Sequence, residues 1–145
     1  GFAWWHNKII QEAMTTGRLV MPTGRIYTYS PVRNFRGELE APETTIKNYP
    51  VQGLGADMMT IARVSFAKRF RDNKINGIIV NTVHDSIVCD VHKTEVNKVV
   101  NLFHEVFDDL PNNFERIFKI KFDLPMLCEC GVGNNMKELT TIERS

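Results

Sequence analysis

The 145 residues are 43% hydrophobic and 24% charged, the balance of a soluble globular chain. That length can bury a core without a disulfide or metal staple, and a net charge of +1 argues against a free-standing nucleic-acid binder without excluding a piece of one. No apolar run approaches the ~20 residues of a membrane span, and three cysteines without a secretory signal point to a reducing cytoplasm.

The chain starts at Gly1 rather than Met, which reads as a fragment, a processed chain or a tag scar. Residues 2–16 predict a helix, with Phe2, Trp5, Ile9 and Ala13 on one stripe and Gly17 as its C-cap. Residues 18–29 predict a hairpin, with Pro22-Thr23-Gly24 as the turn. Residues 30–45 carry no strong period and read as a polar loop. A long helix follows from about Pro50 to Phe70, with Pro50 in its first turn. Leu54, Met58, Ile61 and Ser65 mark one face and Met59, Ala62, Phe66 and Phe70 another, as expected of a helix between layers. The clearest β signal spans 77–91, where two β-branched runs flank His84-Asp85-Ser86 with room only for a tight antiparallel turn. A helix over about 94–110 ends at Pro111, and a last strand covers 126–130 before Gly131-Val132-Gly133 breaks it and a polar tail begins. The fold class is α+β: antiparallel strands covered by helices.

Chemistry centres on the 77–91 hairpin. A carboxylate at a hairpin tip is held by rigid backbone and points off the sheet end, which suits a hard divalent cation. Taken alone, Asp85 reads sooner as ordinary turn chemistry. Cys128 and Cys130 lack zinc spacing with His6, His84, His92 and His104; on an alternating strand both thiols face one way, inward. Asn48 and Gln52, four apart, share a helix face.

Four blocks carry a resemblance. Val83-His84-Asp85-Ser86-Ile87-Val88 resembles motif C of family A (polymerase I-like) DNA polymerases, V-H-D-E-(L/I)-V. Asn48-Tyr49-Pro50-Val51-Gln52-Gly53, continuing to Gly55-Ala56-Asp57, is similar to that family's N-x-P-(I/M/V)-Q-G-(T/S)-A-A-D helix. Gly17-Arg18-Leu19-Val20 through Gly24-Arg25 resembles its G-(Y/R)-V-x-T-x-x-G-R hairpin, and Pro125 through Met136 its P-L-x-V-E-x-x-x-G-x-N-W ending. The blocks lie in family order with family-like spacing and cover nearly the whole chain.

The resemblance implies a palm-type antiparallel sheet, with residues 1–16 a fingers-side helix and 17–145 the palm portion. It implies template-directed nucleotidyl transfer with two Mg²⁺ ions, on primer–template DNA and deoxynucleoside triphosphates. Asp85 would be the motif C metal ligand, and His84 would help place the primer terminus. Ser86 stands where the family has Glu, which puts full activity or the usual metal response in doubt. Asn48 and Gln52 would touch the minor groove, while Gly53 and Gly55 leave space for a closely approaching backbone or duplex. Lys47 and Arg25, with Arg18, Arg33 and Arg36, would meet phosphates. Thr44 replaces a family Arg, and Asp57 matches an acidic residue taken as structural. The second metal carboxylate of motif A, and the Lys and Tyr of motif B, precede this stretch in the family. The expectation is therefore that these residues alone do not polymerise, and that the missing N-terminal segments come from the same or another chain. The implied setting is a bacterial or phage-infected cytoplasm. Two rivals remain: a non-catalytic palm remnant that binds DNA or protein, and a His-Asp phosphohydrolase, disfavoured because that class keeps its pair on a helix.

Overall fold

The structure, a computed structural model, describes residues 1–144 and forms two compact units divided between Asp57 and Met58.

In the first unit, α1 (Phe2–Thr16) buries Ile9 and Ala13, with Trp5, Ile10 and Met14 packed on the same cluster. The predicted stripe holds from Trp5 onward; Phe2 and Trp4 are exposed, and Lys8 lies over the Trp4 ring. Gly17 ends the helix at φ 72°, a left-handed conformation that glycine adopts without steric cost. β1 (Arg18–Val20) pairs antiparallel with β2 (Ile26–Thr28), which sets Leu19 opposite Tyr27. Leu19 and Tyr29 complete a small core with Ile46.

The segment read as a polar loop closes into a second hairpin, β3 (Val32–Arg33) with β4 (Leu39–Glu40). Its cause is local. The Asn34 side-chain oxygen accepts from the backbone N–H of Arg36 (2.9 Å) and of Glu38 (3.0 Å), and Gly37 takes φ 79°. Strands this short show no alternation to read.

α2 (Glu43–Asp72) begins a full two turns before Pro50, correcting the expected start. Pro42 lies just before it, and its carbonyl accepts from the N–H of Ile46 at 3.0 Å. Pro50 therefore interrupts the helix interior, where it removes one backbone bond. It is also fully buried, so tertiary packing rather than capping keeps it there. Of the two apolar faces expected, one buries Ala62, Phe66 and Phe70 with Met59 half-buried, whereas the other buries Met58 and leaves Leu54, Ile61 and Ser65 half-buried.

The second unit holds the long hairpin. β5 (Gly77–Val83) and β6 (Ser86–Val91) pair antiparallel, Val83 opposite Ser86, so His84 and Asp85 form a two-residue turn. Ile79 pairs with Cys89 and Asn81 with Val88, leaving Val80 as a one-residue bulge. A 3₁₀ turn (Lys93–Glu95) leads into α3 (Val96–Asp108). Pro111 does follow the end of that helix, but it lies in the first turn of another, α4 (Leu110–Phe118), which the sequence reading missed. Phe66, Phe70, Val99, Leu102, Val106, Leu110 and Phe114 form the core, where the Phe66 ring stacks on Phe103 at 3.9 Å.

The expected strand at 126–130 is displaced. β7 (Cys130–Val132) pairs with β8 (Thr140–Ile142), inside the supposed polar tail. Gly131 continues the strand rather than breaking it, opposite Thr141. Asn135 closes the turn by accepting from the N–H of Lys137 at 2.9 Å and of Glu138 at 3.1 Å. All pairings among the described residues are antiparallel, in four two-stranded ribbons between helices, so the α+β reading stands.

Candidate active site

The tip of the β5–β6 hairpin carries His84, Asp85 and Ser86, all exposed. His84 takes φ 51°, the positive value that a two-residue hairpin turn demands at its first position. A non-glycine residue held there costs about 1–2 kcal/mol, offset by the strands on either side. The Ser86 hydroxyl donates to the Val83 carbonyl at 2.8 Å, latching the turn from within. Its oxygen lone pairs stay open to accept. Asp85 projects from a turn fixed at both ends, and among the described residues no ion pair or hydrogen bond engages its carboxylate. An exposed carboxylate beside a hydroxyl oxygen fits a hard cation such as Mg²⁺, which binds few protein oxygens and keeps several waters.

On α2, Asn48 and Gln52 are both exposed one turn apart, beside exposed Tyr49 and Val51. Gly53 is buried against the protein itself: a Cβ there would sit 1.7 Å from the Tyr27 hydroxyl. Gly55 faces open space. The two glycines, read alike from sequence, therefore differ in kind.

Two cations proposed for phosphate are already paired. Lys47 meets Glu43 at 2.7 Å across one helical turn. The Arg25 guanidinium forms an ion pair with Asp57, whose carboxylate also accepts from the Thr23 hydroxyl at 2.8 Å. The Arg25 hydrogen bond holds the Asp57 carboxyl below its ordinary range; partial burial opposes this and Thr23 assists. Asp57 thus ties the β1–β2 turn to α2, the structural part expected of it. Arg33 donates to the Gly37 carbonyl at 2.6 Å, and Arg36 lies over the Phe35 ring.

The cysteine reading needs correction. Cys128 lies outside any strand, so alternation does not set where its thiol points. Cys128 and Cys130 instead converge with His104 of α3, a cluster no sequence spacing announced.

Among the described residues no helix is long and apolar enough to cross a membrane. The model of DNA polymerase family A matches residues 1–138. The DNA polymerase of Bacillus phage SP01 is 32% identical over 88 residues, which are 61% of this chain and 9% of that protein. The thermostable DNA polymerase I of Thermus filiformis is 28% identical over 135 residues, 92% of this chain and 15% of that protein. A solved structure, the POL domain of Pol1 from M. smegmatis in complex with DNA primer-template and dNTP, matches with a TM-score of 0.62 at 22% identity, over 75% of this chain and 19% of that one. At that identity the likeness carries the fold. This chain belongs to DNA polymerase family A. It spans 9% and 15% of the length of the two relatives described.

Proposed function

We propose that this chain contributes the motif C part of a DNA-directed DNA polymerase active site, on a palm formed by residues from 17 onward with residues 1–16 on the fingers side. The observation that carries the reading is Asp85, an exposed carboxylate on a two-residue turn within a family A chain. Bound Mg²⁺ would supply charge neutralisation on the triphosphate and acidify the primer hydroxyl. Asp85 would hold that ion through its carboxylate oxygen. The stiff turn keeps the oxygen in place, so little ordering remains to be done when substrate arrives. His84, fixed in the left-handed region beside it, would position the primer end. Ser86 would accept a hydrogen bond from an ordered water.

Asn48 and Gln52 present amides that donate or accept without discriminating sequence, which suits contact with the minor groove of any duplex. Lys47 can reach phosphate by leaving Glu43, because an exposed pair one helical turn apart is worth only about 0.3–0.5 kcal/mol. Arg25 must give up Asp57 to do the same, so its part is to hold the hairpin on α2. Primer–template DNA and deoxynucleoside triphosphates are the partners this implies. The motif A carboxylate and the motif B Lys and Tyr would come from residues beyond these 145, in the same or another chain, and these residues alone should not extend a primer.

The test joins the chain to the missing polymerase segments and follows Mg²⁺-dependent primer extension. Asp85→Ala should lower extension about a thousandfold or more. Extension unchanged by Asp85→Ala, with DNA binding intact, would establish the second reading, a binding remnant. That reading is favoured by Ser86, whose proton is committed to Val83 where the family carries a second carboxylate.

A further inference from the structure

The second unit brings together three side chains that polymerase chemistry does not use. His104 stands on α3, Cys128 on the segment after α4, and Cys130 at the start of β7. One ligand atom from each lies within 4.8 Å of the others. The Cys128 Sγ is 3.6 Å from His104 Nδ1. A tetrahedral zinc with ordinary Zn–S and Zn–N bonds sets neighbouring sulfur and nitrogen ligands about 3.6 Å apart, so this edge is already at its liganded length. The other edges, each within 4.8 Å, need to close by at most about an ångström, within reach of side-chain rotation. Cys130 is buried, while His104 and Cys128 are half-buried.

The Cys128 sulfur lies against the Nδ1 of His104, so that nitrogen is the one a cation would take; the buried Nε2 keeps no hydrogen-bond partner among the described residues either way. Two thiols and one imidazole form a soft donor set, the kind that selects zinc over magnesium or calcium.

We propose that His104, Cys128 and Cys130 form a zinc site that fastens the C-terminal ribbon to α3, with water in the fourth position. Asp108, one turn along α3 from His104, forms an ion pair with Arg144. Binding exchanges the two thiol protons for one cation and changes no oxidation state. Ligands from separate elements, joined through a metal, constrain the chain much as a staple does. The site is independent of the polymerase reading.

The experiment uses the full chain without an affinity tag, its thiols reduced, and Co²⁺ as the probe. One equivalent should produce sulfur-to-cobalt charge-transfer absorption with the strong visible bands of a tetrahedral site, and one equivalent of Zn²⁺ should erase both. Cys89→Ser should change nothing. Cys128→Ser or Cys130→Ser should remove most of the charge-transfer signal, and His104→Gln should weaken Zn²⁺ binding about 100-fold or more. Zn²⁺ should also raise the thermal midpoint of the wild-type chain but not of the His104→Gln chain. No charge-transfer band in the folded wild-type chain overturns the proposal. So does a band lost with Cys89→Ser, or Zn²⁺ binding indifferent to His104→Gln. Because the wild-type titration decides by itself, a variant that fails to fold leaves the test intact.

Discussion

A methyl group added at position 77 would lie 2.6 Å from the Asp90 carbonyl oxygen and 2.8 Å from the Val91 Cα, both backbone of the facing strand. At position 53 it would lie 1.7 Å from the Tyr27 hydroxyl, the free end of a side chain. A paired strand cannot swing aside, whereas a phenol can, even one flanked by the Tyr29 and Tyr49 rings. Gly77→Ala should therefore cost about 2–3 kcal/mol and Gly53→Ala about 1 kcal/mol, read from urea midpoints; equal losses would contradict the distinction. Asp57 gives a pH signature. Its carboxyl is held low in the folded chain by Arg25, so its stabilisation is complete above the ordinary carboxylate range and fades as pH falls through the lowered value. The gap in stability between the wild type and Asp57→Asn should be widest near neutrality and narrow in acid; a gap that widens in acid would contradict this assignment.

At the scale of elements, Phe66 shows what ties the second unit together. It is fully buried on α2 and stacked on Phe103 of α3, so Phe66→Ala should cost about 3–5 kcal/mol in thermal or urea unfolding. A loss below 1 kcal/mol would mean that the helix pair does not depend on this contact. Helix α1, the first hairpin and the 77–91 ribbon were legible because each has a strong period and an evident stop: Gly17, Pro22-Thr23-Gly24 and His84-Asp85. The elements misread are those where one side chain overrides the pattern. Asn34 folds an aperiodic loop into a hairpin, and Asn135 does the same between β7 and β8. Pro50 has the chemistry of a helix start, but burial holds it inside α2. Helix α4 hides behind Pro111, because a proline that ends one helix suits the first turn of the next equally well.

Across the whole molecule, family order and spacing single out one tripeptide, His84-Asp85-Ser86, and the fold sets it at an exposed hairpin turn. The convergence of His104 with Cys128 and Cys130 was not legible, because 24 residues separate His104 from Cys128 and only the fold joins them. The pairing of Arg25 with Asp57 was equally hidden, since 32 residues separate them, and that of Lys47 with Glu43 escaped because the helix that sets them one turn apart starts before the expected Pro50. One departure can be turned into a measurement. Ser86→Glu would exchange the turn latch for a second carboxylate at the tip. In the completed polymerase it should lower the Mg²⁺ concentration that gives half-maximal extension by about threefold to tenfold, and leave DNA affinity little changed. An unchanged Mg²⁺ response would separate position 86 from the metal.

The bulge at Val80 sets where Asp85 stands. Below it, strand β5 shows Ile78 outward and Ile79 inward; Val80 and Asn81 then both face out, and alternation resumes with Thr82 inward. The extra residue therefore shifts the phase of everything between it and the turn. The aim of Asp85 is thus written as a count of residues rather than as the chemistry of any one of them. Many side chains could stand at position 80, but losing or gaining a single codon there would turn the outer half of the strand inside out.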